Sequence, residues 1–165
     1  MRTFMTAALC SSLTLLVFLS ALPADETTVP LDKVPKAVMD AVKAKYPGAK
    51  LLGASTEKDG DKTVYEISLK FKGHHHDVTL EPEGTIVSIE KEIAAKDLPA
   101  VVAKAVNSKY PKATWKRVEE LSKGDGSLTG YEVVLVSAAK DTVEVVLDPQ
   151  GKITQEGNKG KENAK

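Results

Sequence analysis

The sequence predicts an α+β fold: two tandem repeats, each a helix packed on a four-stranded antiparallel sheet. Three observations predict it. Leu31-Asp32-Lys33-Val34-Pro35-Lys36-Ala37-Val38, running on to Lys45-Tyr46-Pro47-Gly48-Ala49, returns as Ala95-Lys96-Asp97-Leu98-Pro99-Ala100-Val101-Val102, running on to Lys109-Tyr110-Pro111-Lys112-Ala113. Tyr65-Glu66-Ile67 is echoed by Tyr131-Glu132-Val133, and Leu80-Glu81-Pro82-Glu83-Gly84 by Leu147-Asp148-Pro149-Gln150-Gly151. Within each copy the apolar period changes from helical to alternating, as a helix followed by strands requires.

The first residues read as a secretory signal, not as fold. Met1-Arg2 is a positive start, Phe4 to Leu22 is apolar, and Ala21 and Ala24 are small residues ahead of the first acids, Asp25 and Glu26. Cleavage is expected after Ala24, giving a signal peptide over 1–24. Cys10 lies early in the apolar run behind Leu9, which is not the arrangement of a lipidated cysteine. The exported chain then has no cysteine, so its stability rests on packing, and thiolate zinc is excluded.

The first repeat is placed at 25–93. Asp25 to Pro30 is an extended leader. Leu31 to Tyr46 reads as a helix, with Asp32 as N-cap, Pro35 in the first turn, and an apolar stripe of Val34, Val38, Ala41, Val42 and Tyr46. Strands follow at Ala49 to Glu57, Thr63 to Lys72, His75 to Glu81 and Thr85 to Lys91. The second strand alternates cleanly: Tyr65, Ile67, Leu69 and Phe71 point one way, and Glu66, Ser68, Lys70 and Lys72 the other.

The second repeat, 94–156, follows the same logic. Asp97 caps and Pro99 opens a helix whose stripe is Leu98, Val102, Ala105, Val106 and Tyr110. Strands are expected at Ala113 to Leu121, Thr129 to Ala138, Asp141 to Asp148 and Lys152 to Glu156. The polar tail 157–165 reads as disordered. One helix covers one face of a four-stranded sheet, so the other face is left open.

A proline-started amphipathic helix ending in Tyr-Pro-x-Ala, then four strands with a Pro-x-Gly turn before the last, resembles the PepSY-like families. It is most similar to the beta-lactamase-inhibitor-like, PepSY-like group. The resemblance covers both repeats and implies a secreted or periplasmic protein with a saddle-shaped sheet. In the beta-lactamase inhibitor protein the open face of that sheet grips an enzyme. This chain departs from that pattern in having no disulfides and few aromatic residues on the open face, so no inhibitory residue is carried over.

The charge balance excludes several partners. Removing Arg2 leaves 22 basic against 23 acidic side chains, with no basic excess to steer the protein to nucleic acid or to an anionic membrane. There is no Gly-x-Ser-x-Gly elbow, no His-Glu-x-x-His, no phosphate loop and no exported cysteine nucleophile. The expectation is a non-enzymatic protein without a cofactor. Glu119-Glu120 reads as solvated surface, and Trp115, aligned with Leu51, as core.

Two features carry binding chemistry. Val134, Val136 and Val146 fall on the open face of the second repeat, bordered by Glu132 and Glu144. An apolar patch with a polar rim suits contact with another exported protein. The second feature is His74-His75-His76-Asp77, which holds every histidine of the chain. On a strand, His75 and Asp77 share the open face and offer an imidazole and a carboxylate to zinc or copper, with Glu66 or a partner residue as a third ligand. The leading expectation is a binding module that restrains an exported enzyme. The alternative is a small metal- or ligand-binding envelope protein using His74 to Asp77.

Overall fold

The computed structural model describes residues 27–59 and 62–161. The expected signal peptide, with Cys10, lies outside the described residues. Among the described residues the chain forms one continuous antiparallel sheet of nine strands in strict sequence order, so the expected four-stranded units are not separate sheets. These are β1 (Thr27–Thr28), β2 (Lys50–Asp59), β3 (Lys62–Phe71), β4 (His74–Leu80), β5 (Ile86–Glu92), β6 (Thr114–Lys123), β7 (Leu128–Val136), β8 (Asp141–Leu147) and β9 (Ile153–Lys161). The reason is edge pairing. An exposed edge of β5 would leave a row of unsatisfied backbone groups, and β6 takes them up from Ser88↔Lys123 to Glu92↔Glu119. The leader contributes β1, which pairs with β2 at Thr27↔Thr56. Residues expected to be disordered from Gly157 onward instead extend β9 to Lys161 against β8.

Each helix begins later than the sequence reading places it. A 3-10 turn spans Leu31–Lys33, and α1 runs from Lys36 to Lys45 with Pro35 itself at the N-cap. Asp32 makes no capping bond. Pro35 has the extended ψ of a cap residue, and its carbonyl accepts the first helical bond from the Met39 amide. The second half repeats this with a turn at Ala95–Asp97, Pro99 at the cap, and α2 at Ala100–Lys109.

Both helices lie on one side of the sheet. Val38 and Val42 of α1 pack against Ile67, Leu69, Val78 and Leu80. Val102 and Val106 of α2 pack against Val133, Leu135, Val145 and Leu147. The two clusters share no residue. Tyr46 closes the first with an edge contact to Phe71 and a tilted contact to His76, ring centroids 5.4 and 5.2 Å apart. Trp115 is half-buried against the second, as expected. The β3–β4 hairpin turns on Lys72 and Gly73, both at positive φ, which matches the twist of the strands it joins.

Candidate functional site: an acidic cluster on the open face

The sheet register assembles the site. Residues paired across antiparallel strands share a face, so one row on the side away from the helices reads Ser68, Asp77, Glu90, Leu121. The adjacent row brings Glu92, Glu119, Glu132 and Val146 together. Carboxylates from β4, β5, β6 and β7 thus meet where the two halves of the chain join. A ligand atom from each of Asp77, Glu90 and Glu119 lies within 4.8 Å of the others. Among the described residues the first half has no such site of its own, since Ser55, opposite Glu66, stands where Glu119 stands opposite Glu132.

The cluster is shielded from solvent. Glu119 is 0% exposed and Asp77 8%. Arg117 is its one guanidinium: Nε lies 3.0 Å from Glu119 Oε2 and Nη2 lies 3.8 Å from Glu132 Oε1. The Nε contact is misaligned for a hydrogen bond, and neither Glu119 oxygen accepts one. Asp77 is held differently. Ser68 Oγ donates to Oδ1 at 2.5 Å, and His75 Nε2 sits 3.1 Å from both carboxylate oxygens.

The electrostatics follow from crowding like charges out of water. Burial, reinforced by Glu132, Glu119, Glu66 and Asp77, pushes the Glu90 carboxyl up to about 9. Burial pushes Glu119 up to about 7, against the pull of Arg117 and with the push of Glu132, Asp77 and Glu92. Burial alone would lower Arg117, but the carboxylates of Glu119, Glu132, Asp77 and Glu90 outweigh it and hold the guanidinium above its ordinary value. One arginine does not neutralise this many acids, so the site favours protons or a further cation.

The residues expected to bind fall around this cluster. His75 and Asp77 do share the open face, but His75 is engaged with Asp77, and the carboxylates that group with Asp77 are Glu90 and Glu119. His74 Nδ1 contacts the Glu92 carbonyl at 3.0 Å. His76 faces the helix side, where burial lowers its pKa. Glu132 faces Val146 across β7 and β8, and Val134 faces Glu144. Val134 and Val146 are half-buried. Val136 is 6% exposed, paired with Thr114 and Thr142 on the same face as Val134, so it offers little accessible surface. Glu119, read as solvated surface, is the most buried acid of the site. The sequence alone does not single out Glu90 or Arg117. Their alternation with Ser88, Glu92 and Leu121 marks a polar strand face, but only the β5–β6 register brings them together.

The comparisons with known proteins agree with this architecture. The family described as "Putative beta-lactamase-inhibitor-like, PepSY-like" matches residues 73–155, half of the chain. The family described as "Peptidase propeptide and YPEB domain" matches residues 35–90. No curated protein matches the chain. Among solved structures, a putative periplasmic protein of Bacteroides eggerthii is 16% identical with a TM-score of 0.62, over 76% of this chain and 88% of that one. A BLIP-like protein of Bacteroides fragilis is 20% identical with a TM-score of 0.56, over 83% of this chain and 92% of that one. At these identities the likeness is one of fold. With half of its length matched by the family's model, and the match running from β4 through the second helix into β9, the chain belongs to the beta-lactamase-inhibitor-like, PepSY-like family.

Proposed function

We propose that the protein is an exported, non-enzymatic binding module of the cell envelope, which docks another exported protein on its open sheet face and restrains it by steric cover. The observation that carries this reading is the one-sided sheet: both helices and both apolar clusters lie on one face. The other face is a preformed surface across the inner strands, and rigid preformed surfaces bind without a large ordering cost. Glu132 and Glu144, with half-buried Val134 and Val146 beside them, give that surface an acidic rim around a small apolar centre. Such a surface suits a partner presenting a basic segment, whose approach the acids would steer. A periplasmic location accords with the apolar N-terminal run and with the periplasmic description of the B. eggerthii relative. Among the described residues no helix is long and apolar enough to cross a membrane.

The test is retention of envelope proteins by immobilised wild type and by a Val134→Lys/Val146→Lys variant of unchanged melting temperature. A protein held by the wild type and released by the variant supports the reading. Equal retention by both would assign binding to another face.

A further inference from the structure

We propose that Asp77, Glu90 and Glu119 bind a hard divalent cation of calcium's size, which ties β4 and β5 of the first half to β6 of the second. Three observations carry the assignment. First, the ligand atoms are all carboxylate oxygens, and they lie within 4.8 Å of one another. Oxygen donors select calcium, magnesium or manganese over zinc or copper. Calcium takes its ligands at about 2.3–2.6 Å, so oxygens on opposite sides of one ion are about 5 Å apart. The three oxygens here lie within that reach of one another.

Second, Glu119 points into this cluster with no exposed surface and no hydrogen bond to either oxygen. Its ion pair with Arg117 engages Oε2 only. A buried carboxylate oxygen left without a donor is costly, and a cation at the centre of the cluster removes that cost. Third, Asp77 is oriented from behind. The Ser68 hydroxyl and His75 Nε2 hold its carboxylate in place, as outer groups do for ligands of metal sites. His75 is therefore a positioning residue, and the site differs from the zinc or copper site that its imidazole suggested. A site built from three adjacent strands also explains the absence of a counterpart in either half alone. Glu144, which faces Val134 as Asp77 faces Ser68, has Gly157 opposite it in β9, where Asp77 has Glu90.

The experiment is calorimetric titration of the exported protein, stripped with chelator, with calcium, magnesium and zinc chlorides in turn. Calcium is expected to bind one to one, and Glu90→Gln/Glu119→Gln to abolish the heat. Glu90→Gln alone, which relieves repulsion and so keeps the fold, is expected to weaken calcium at least about tenfold, and His75→Ala by about 10- to 100-fold. His75→Ala leaves all three carboxylates in place, so its loss of affinity reports positioning. Calcium binding undiminished in Glu90→Gln would overturn the proposal. So would zinc binding that depends on His75 with no response to calcium, and so would no binding of any of the three at millimolar concentration.

Discussion

Replacing Glu90 with Gln should stabilise the protein, and increasingly so as the pH rises. Glu90 is pushed up to about 9 by burial and by four neighbouring carboxylates, against an ordinary value of 4.5 in the unfolded chain. Between those two values the folded protein holds a proton that the unfolded chain has released. The slope of stability against pH follows the difference in bound protons. Here the native state binds more, so stability falls as pH rises from 4.5 towards 9. Below the window both states are protonated and the group costs nothing.

At pH 7 the chain is about 2.5 pH units into the window, and each unit is worth about 1.4 kcal/mol, which sets a ceiling of about 3.5 kcal/mol. Glu90 keeps some contact with solvent, which screens its neighbours, so the expected gain in Glu90→Gln is about 2 kcal/mol at pH 7. In a chain of this size that raises the melting temperature by about 6 °C. The assay is urea denaturation of wild type and variant in chelator at pH 4, 7 and 8.5. The two curves should coincide at pH 4 and separate steadily above it. A variant less stable than wild type at pH 8.5, or a gap independent of pH, would refute the reasoning.

Two further outcomes test the frame that holds the site. Ile67 and Leu135 are both 0% exposed and sit in separate clusters, so Leu135→Ala should cost about 2–5 kcal/mol and Ile67→Val about 1 kcal/mol. Their double variant should match the sum within about 0.5 kcal/mol in urea denaturation, and strong coupling would mean one shared core. At Gly124 an added Cβ would meet the Ile86 carbonyl oxygen at 1.9 Å, while at Gly53 nothing lies within 4 Å. Gly124→Ala should therefore cost about 1–3 kcal/mol by forcing β5 and the end of β6 apart. Gly53→Ala should stay within about 0.5 kcal/mol of wild type. Equal melting temperatures for the two would remove the close approach at the junction.

Local chemistry made most of the elements legible. Val38, Val42, Val102 and Val106, chosen by helical spacing, are the most buried residues of their helices. Ile67 and Leu69, chosen by alternation, are buried under α1. What was not legible about the sheet and the acidic cluster has one physical origin, pairing across long sequence separation. Periodicity within β5 and β6 does not reveal that their edges join, so the way the two four-stranded units meet was not legible. The same pairing carries Glu90 to Glu119, and without it each reads as an ordinary solvated acid. Helix starts were misplaced for a local reason. Asp32 and Asp97 have the chemistry of a cap, but the backbones of Pro35 and Pro99 already occupy that position. Strand parity assigns Val136 a face and not a depth, and its 6% exposure is not legible in the sequence.

We propose that this sheet binds through the face opposite its helices. A photo-crosslinking residue at Val134, on the open face, and another at exposed Val101, on α2, would compare the two sides of the same molecule in living cells. A discrete adduct with another exported protein is expected from position 134 and none from position 101. Adducts from position 101 alone would contradict it and place the binding surface on the helices.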